Sequence, residues 1–203
     1  MLKNMIESYS VIKIAIIGAG GFGREVYHHM LHDGLNVELY DDGDNTYKSS
    51  KDIDFDNYHV LVAIGNPTIR RNVVNNLPKN AKIFTYISSK AIILGNDIVI
   101  GEGSIICSGV ILTTNIKIGE HSHINLNTTI GHDCIIGDYL TTTPSVNISG
   151  NCVIGDNVYF GTNSSVKEKI TICDDVIIGL NSGIVKDITE KGTYIGSPTI
   201  KIK

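Results

Sequence analysis

The residues best suited to catalysis in this 203-residue chain lie in the run Gly131-His132-Asp133-Cys134. Imidazole has the unperturbed pKa nearest neutrality, so a histidine can remove a proton from an attacking amine or hydroxyl. Asp133 follows His132 directly, and a carboxylate beside an imidazole fixes its tautomer and stabilises the imidazolium. Gly150 lies 18 residues further on, and its N–H, which no side chain covers, could stabilise the oxyanion of a tetrahedral intermediate. Together these groups could catalyse acyl transfer.

A second candidate site is the run Gly18-Ala19-Gly20-Gly21-Phe22-Gly23, which matches G-x-G-x-x-G between a predicted strand and a predicted helix. Glycines allow the backbone to approach phosphate oxygens, and the helix N-terminus adds positive potential. An acid about 20 residues on, after the next strand, can meet a ribose or a base. The candidate ligand contacts in this domain are Gly20, Gly21, Gly23, Arg24, Asp41, Asp42, Gly65 and Asn66. Plain turns are the alternative interpretation of both glycine-containing loops.

The first domain, residues 11–86, alternates strands with helices. Its predicted strands are 11–17, 37–40, 59–64 and 81–85, and its predicted helices are 22–32 and 68–77. This alternation predicts a parallel sheet covered by helices, an α/β half-Rossmann domain. A dinucleotide site needs two βαβαβ halves, and this domain has room for one. We therefore predict a mononucleotide-type ligand rather than NAD.

From residue 87 to residue 203, a six-residue period replaces this alternation. Fifteen of sixteen positions at this spacing are apolar, and the exception, Thr142, marks either a local distortion or a tolerated defect. The series is Leu94, Ile100, Ile106, Leu112, Ile118, Ile124, Ile130, Ile136, Thr142, Ile148, Ile154, Phe160, Val166, Ile172, Ile178 and Ile184. The positions two residues earlier share the same face and are all apolar or small. A fixed period predicts a repeat architecture.

Six residues form one short flat side, and three sides form a coil of 18 residues. Coils stack like the strands of a parallel sheet, about 4.8 Å apart. Residues 94–184 therefore predict about five coils, with His132 and Gly150 stacked on one corner. Glycine follows many of the aliphatic positions, which predicts sharp corners with unusual dihedrals. These glycines are Gly101, Gly119, Gly131, Gly137, Gly155, Gly161 and Gly179.

Composition excludes several other classes of protein. The net charge of −4 and the pI of about 5.9 argue against nucleic-acid binding. No run approaches the ~18 apolar residues of a membrane span, and MLKNMIESYS at the start lacks the apolar region of a signal peptide. Four cysteines in 203 residues do not form a disulfide framework. We therefore expect a cytoplasmic protein.

The six-residue period resembles the left-handed parallel β-helix of the hexapeptide acyltransferases. Its combination with a small nucleotide-type α/β domain resembles the bacterial sugar acyltransferases grouped with sialic acid O-acetyltransferase, perosamine N-acetyltransferase and the bacillosamine-pathway N-acetyltransferase. The resemblance covers nearly the whole chain. It implies an acetyl-CoA-dependent N-acetyltransferase that acts on a nucleotide-linked amino sugar as a homotrimer, without a metal. It also implies an acceptor held between the nucleotide domain of one subunit and the β-helix of its neighbour.

The resemblance also implies roles for particular residues. By this match His132 is the general base, Asp133 orients it, and the Gly150 N–H binds the oxyanion. Asn125 matches an asparagine near the acceptor, and the two acids after the second strand meet the uracil or ribose. The implied contacts of CoA are Gly150, Gly161, Gly179 and Lys201. The ending departs from the family's Gly-x-Pro-Ala-Lys pattern, because Thr199-Ile200-Lys201 displaces the lysine by one residue.

Several alternatives remain open on the sequence alone. An O-acetyltransferase for a sialic-acid-like sugar would have the same fold and base. A non-catalytic β-helix with a nucleotide-sensing domain is a third reading, in which His132 is a surface residue and Gly150 only a corner. A Cys134 nucleophile is disfavoured because the register points this thiol inward, where thiols act as small hydrophobes. A zinc-dependent carbonic anhydrase is disfavoured because the histidines are too few and too unevenly placed.

Overall fold

The computed structural model describes residues 12–203 and begins with a parallel sheet of four strands. The strands are β1 (Lys13–Ile17), β2 (Asn36–Tyr40), β3 (Tyr58–Val62) and β4 (Lys82–Ile83), in the spatial order β2-β1-β3-β4. Helix α1 (Gly21–His32) follows β1, helix α2 (Pro67–Asn75) follows β3, and Ser50–Asp52 form a 3₁₀ turn. The strand order reverses direction between β1 and β3, and ligands bind outside the carboxyl ends of strands at such a switch point.

The elements predicted for the first domain are present, with different ends. The strand expected at 81–85 has only two residues, Lys82–Ile83, and the strand expected at 59–64 is Tyr58–Val62. Helix α2 ends at Asn75 rather than at residue 77, because the N–H groups of Asn76 and Leu77 bond to Val73 and Val74 in a tighter turn. Residue 11 and the run MLKNMIESYS lie outside the described residues.

The rest of the described chain forms a parallel β-helix with three sheets, one on each face. The first face contains Tyr86–Ile87, Ile105–Ile106, His123–Ile124, Thr141–Thr142, Tyr159–Phe160, Val176–Ile178, Gly192–Ile195 and Ile200–Lys201. The second face contains Ile92–Ile93, Ile111–Leu112, Thr129–Ile130, Asn147–Ile148, Ser165–Val166 and Gly183–Ile184. The third face contains Val99–Ile100, Lys117–Ile118, Ile135–Ile136, Val153–Ile154 and Thr171–Ile172.

The solenoid has about six turns, one more than the five expected, because it starts before the predicted series and continues after it. Tyr86, which the sequence analysis assigns to the first domain, pairs with Ile105 of the first face. The period holds from residue 100 to residue 184, but Leu94 is out of register. Its neighbour Ile93 pairs with Leu112, and Leu94 is 66% exposed. One extra residue in the corner between Ile93 and Ile100 causes the shift.

The unusual dihedrals fall at different positions from those predicted. Positive φ angles occur two residues after the predicted corner glycines, mostly at asparagine and aspartate, which tolerate this conformation. Asp133, with φ of 60°, is one of them. The predicted corner glycines instead allow close stacking of coils. A Cβ on Gly101, for example, would lie 2.4 Å from the carbonyl carbon of Gly119.

Arg70 of α2 joins the two domains. Its side chain is fully buried, and its guanidinium bonds to seven acceptors at 2.6–3.4 Å. They are the carbonyls of Ile64, Gly65, His121, Tyr139 and Leu140, Oγ1 of Thr141 and Nδ1 of His123. No carboxylate is among them. Burial lowers the pKa of Arg70 to about 9, so the group stays charged at neutral pH.

Asp33, at the end of α1, forms a second link to the β-helix. Its carboxylate accepts hydrogen bonds from Tyr86 Oη at 2.8 Å and from Ser89 N and Oγ at 2.9 and 2.7 Å. Burial would raise the pKa of Asp33, but these bonds outweigh it and hold the pKa below its usual value. The core is continuous across this junction, since Met30 and Leu35 share one apolar cluster with Tyr86.

Replacement of Asp33 by asparagine is expected to weaken this link. The stability that Asp33 contributes is present above the pKa of an unfolded aspartate, about 3.9, and is lost as pH falls through the lower pKa of the folded state. We expect Asp33→Asn to lower the free energy of unfolding at pH 7 by about 1.5–3 kcal/mol. Urea unfolding at pH 7 and pH 3 measures it, with exposed Glu25→Gln as control. An unchanged pH slope would contradict the prediction.

Candidate active site

His132 lies on the surface of the β-helix, at the corner that follows the second face. Its side chain is 58% exposed, and its Nδ1 is 2.6 Å from Oδ2 of Asp133. The positive φ of Asp133 turns this carboxylate back towards the ring. Because a carboxylate accepts at Nδ1, the proton of the neutral imidazole sits there, and Nε2 keeps its lone pair for an external proton.

Asn115 supports Asp133 from the preceding coil. Its Nδ2 donates to the other carboxylate oxygen, Oδ1, at 2.6 Å. The bond from Asn115, followed by the bond from His132, lowers the pKa of Asp133, so the group remains a carboxylate. The sequence analysis did not identify Asn115. A signal was available, because Asn115 stands 18 residues before Asp133, one coil away.

Gly150 lies directly against the His132 ring. A Cβ at this position would lie 2.7 Å from both Cε1 and Nε2 of the imidazole, so any side chain would displace the ring. The Gly150 carbonyl accepts a hydrogen bond from Lys169 N at 3.0 Å. Among residues 12–203 the Gly150 N–H donates to no group. The corner therefore presents an oriented imidazole and a free amide side by side.

Substitution of Gly150 by alanine is expected to lower the rate of acetyl transfer by about 100-fold, because the methyl group occupies the space of the His132 ring. The backbone of Gly150 needs no positive φ, so the variant should fold. Initial rates and circular dichroism measure both effects. Glu168→Ala, at the same corner one coil later, is the matched control. Gly150→Ala activity equal to the wild type would remove Gly150 from the site.

A cleft of about 720 Å³ lies between the start of α2 and the first face. Its lining residues are Phe22, Gly65, Asn66, Pro67, Thr68, His123, Asn125, Thr141, Thr142, Thr143, Asn157, Tyr159, Asp175 and Ile177. His132, Asp133 and Gly150 are not among them. The structure therefore does not bring this junction cleft and the His132 corner together within one chain.

The glycine-rich loop contains two kinds of glycine. A Cβ on Gly20 or Gly21 would meet nothing within 4 Å, so these two are open to a ligand. Gly18 has a φ of +107°, and a Cβ on Gly23 would clash at 1.8 Å with the Gly18 carbonyl oxygen. Gly23 therefore serves the close packing of helix and strand rather than the approach of a phosphate. The motif also provides Phe22 to the junction cleft.

Three charged residues predicted to meet the ligand also hold the loops in place. Asp41 accepts hydrogen bonds from Ala19 N at 2.7 Å and from Gly43 N at 2.8 Å. Arg24 donates from Nη1 to the Ala19 carbonyl at 2.9 Å. Asp42 accepts from Ser50 and Ser49, and these bonds lower its pKa.

Asp42 also lines a second cleft, of about 580 Å³, between its own loop and α2. Ile17, Lys51 and Phe55 contribute to its wall. The carboxyl ends of β1 and β3 thus have a cleft on either side. This arrangement gives an elongated ligand room on both sides of the glycine-rich loop.

The remaining predicted contacts of the acceptor lie in the wall of the junction cleft. Asn66 caps α2, since its Oδ1 accepts from Ile69 N at 3.0 Å, and the Gly65 carbonyl accepts from Thr141 Oγ1 at 3.0 Å. Asn125 is 8% exposed, and its Oδ1 accepts from the next amide, Leu126 N. Its Nδ2 has no hydrogen-bond partner among the described residues.

The predicted contacts of CoA are not brought together in one chain. Gly150 is at the corner after the second face, whereas Gly161 and Gly179 follow strands of the first face. A Cβ on Gly179 would lie 2.7 Å from Ile195, so this glycine serves packing. Lys201 pairs with Glu190 at 2.9 Å, and this pairing raises its pKa.

The other histidines and the inward cysteines are structural. His123 is 1% exposed; its Nε2 donates to the Val62 carbonyl at 3.0 Å, and its Nδ1 accepts from the buried arginine. Burial lowers the pKa of His121 to about 4. Cys134 is fully buried, so its thiol cannot reach an acyl donor. In residues 12–203 no three His, Cys, Asp or Glu side chains are placed to hold a metal ion.

A search for membrane-spanning segments in residues 12–203 finds no helix of sufficient length and apolarity.

The first domain matches a known family model, described as the N-terminal domain of PglD, over residues 13–77. A sequence comparison with curated proteins gives no match.

Solved structures resemble the whole described chain. WeeI from Acinetobacter baumannii is 31% identical, with 94% of this chain and 100% of that chain covered and a TM-score of 0.83. The acetyltransferase domain of PglB from Neisseria gonorrhoeae, in complex with acetyl coenzyme A, is 25% identical, with 94% and 98% covered and a TM-score of 0.86. PerB from Caulobacter crescentus, in complex with CoA and GDP-perosamine, is 22% identical, with 94% and 97% covered and a TM-score of 0.88. The last likeness shows the shared fold.

Proposed function

Because the chain belongs to the hexapeptide-repeat sugar acetyltransferase family, we propose that it transfers the acetyl group of acetyl-CoA to the amino group of a nucleotide-linked sugar. The observation that carries this proposal is the His132 corner, where a carboxylate-oriented imidazole lies against a glycine with a free amide. PglB has been solved with acetyl coenzyme A, and PerB with CoA and GDP-perosamine, which supports the choice of donor and acceptor class.

The chemistry follows from the two groups at this corner. Nε2 of His132 removes a proton from the acceptor amine as its nitrogen attacks the thioester carbonyl. The Gly150 N–H stabilises the resulting oxyanion. When the carbon–sulfur bond breaks, CoA leaves as a thiolate and takes up the proton from the imidazolium. Asp133 stabilises the imidazolium in between. Transfer is direct, since Cys134 is buried and no acyl-enzyme is needed.

The substrate-binding regions support an assembly of several chains. The glycine-rich loop would hold the diphosphate at Gly20 and Gly21, with the nucleoside towards Asp42 and the sugar in the junction cleft. The junction cleft lacks the His132 corner, so the amino group would meet His132 of a neighbouring subunit in a homotrimer. Light scattering at micromolar concentration tests this arrangement, and a monomer would overturn it.

Cellular location can be proposed from the cysteines. Cys107, Cys134, Cys152 and Cys173 are all free, which fits the reducing conditions of the cytoplasm.

A thiol-release assay with acetyl-CoA over a panel of UDP-, dTDP- and GDP-linked amino sugars tests the proposed function. We expect release with at least one amino sugar and none with its 4-hydroxyl analogue. Release with the hydroxyl analogue or with a sialic acid would indicate an O-acetyltransferase instead. The matching nucleoside diphosphate, at millimolar concentration, should raise the melting temperature. No release with any acceptor would contradict the proposal.

A further inference from the structure

The hydrogen-bond ladder of the first face is broken at one place. At the end of each strand on this face, the next N–H donates to a main-chain carbonyl of the following coil. Cys107 N donates to the Ile124 carbonyl at 2.9 Å, and Thr143 N donates to the Phe160 carbonyl at 3.0 Å. Asn125 N instead donates to the side-chain Oγ1 of Thr142, at 2.9 Å. The equivalent bonds on the second and third faces all end on carbonyls.

The break has two consequences for the junction cleft. The carbonyl of Thr142 accepts no hydrogen bond from any residue in 12–203, and a buried carbonyl without a donor is unfavourable. The main chain of Asn125 is held by a hydroxyl instead of the ladder. Both residues line the junction cleft, and the Nδ2 of Asn125 is also without a partner.

Thr142 is therefore more than a tolerated defect in the apolar series. Its hydroxyl is 3.1 Å from the hydroxyl of Thr128, so the diverted bond is part of a small buried network. An aliphatic residue occupies the corresponding position in the neighbouring coils, Ile124 and Phe160. A threonine there gives up apolar contact and one ladder bond, which lowers stability. A residue that costs stability at the wall of a cleft is best explained by what it does for a ligand.

We propose that Thr142 is a positioning residue for the acceptor, an inference that rests on the proposed function. Its hydroxyl holds Asn125 out of the ladder, which directs the Asn125 amide and the freed Thr142 carbonyl at the acceptor sugar. The carbonyl accepts from the sugar's N–H or O–H groups, and Asn125 Nδ2 donates to its oxygens. This arrangement recognises a sugar with polar groups on adjacent carbons.

The test compares Thr142→Val, which keeps the shape and removes the hydroxyl, with Thr142→Ser, which keeps the hydroxyl. Ser164→Ala is the matched control, because Ser164 is an inward, fully buried hydroxyl without a partner in the described chain. Steady-state kinetics give KM for the acceptor and for acetyl-CoA, thermal melts give stability, and a crystal structure of Thr142→Val gives the path of Asn125.

We expect Thr142→Val to raise the acceptor KM about tenfold, leave the acetyl-CoA KM within about twofold, and melt no lower than the wild type. Thr142→Ser and Ser164→Ala should keep the wild-type KM values. In the Thr142→Val crystal, Asn125 N should bond to the residue-142 carbonyl. An unchanged acceptor KM or an unmoved Asn125 would overturn the proposal. If the wild type is inactive with every acceptor, the proposed function fails, whereas the crystal structure still decides whether Thr142 positions Asn125.

Discussion

Alanine in place of His132 is expected to lower the rate of acetyl transfer by about 100-fold or more, since no other group at the corner can remove the acceptor's proton. The loss should appear in kcat at saturating acceptor, because the imidazole acts on the proton in flight rather than on the bound sugar. Folding should be unaffected, since the side chain is 58% exposed and its one side-chain hydrogen bond is to Asp133. Thiol release under saturating substrates measures the effect.

His32→Ala is the control for this prediction. His32 is a similarly exposed histidine, at the end of α1 and outside both clefts. It should keep the wild-type rate. If His132→Ala also kept the wild-type rate, the corner would not be catalytic, and a β-helix with a nucleotide-sensing domain would become the better interpretation.

Methionine in place of Arg70 is expected to lower the free energy of unfolding by about 3 kcal/mol or more. The substitution removes every donor that satisfies the buried carbonyls of Tyr139, Leu140 and His121, and it leaves them without water. Lysine should recover only part of the loss, because it keeps the charge without the planar fork of donors. Urea unfolding at pH 7, followed by circular dichroism, gives the values.

The neighbouring arginine is the matched control. Arg71 stacks on the Tyr139 ring at 4.7 Å from its centroid and makes no comparable set of bonds. Arg71→Met should cost about 1 kcal/mol or less. Similar losses for the two variants would mean that the position on α2, rather than the buried guanidinium, holds the domains together.

The sequence predicts the β-helix well because the evidence is a spacing, and a spacing is preserved by any coil that stacks. The same property places His132 under Gly150. It fails at Leu94, because the chain has two adjacent aliphatic residues there, Ile93 and Leu94, and a period cannot show which one points inward when an extra residue follows.

The junction cleft could not be predicted, because it depends on how one domain sits on the other. Arg70 precedes another arginine in a short polar helix and looks like a solvated charge, yet it is fully buried. Gly23 fits a phosphate-binding motif by pattern alone, whereas its space is taken by a main-chain carbonyl. The effect of Thr142 also depends on a single hydrogen bond, which no spacing encodes.

The hairpin of Gly192–Ile195 and Ile200–Lys201 determines what happens at the open end of the solenoid. Each coil carries N–H and C=O groups that a further parallel strand could extend, and an uncovered last coil would recruit another molecule. Here the final strand runs antiparallel to the one before it, so the ladder of the first face ends on a strand of the wrong direction. A chain cut before residue 192 would lose this stop and would be prone to grow end to end into fibrils.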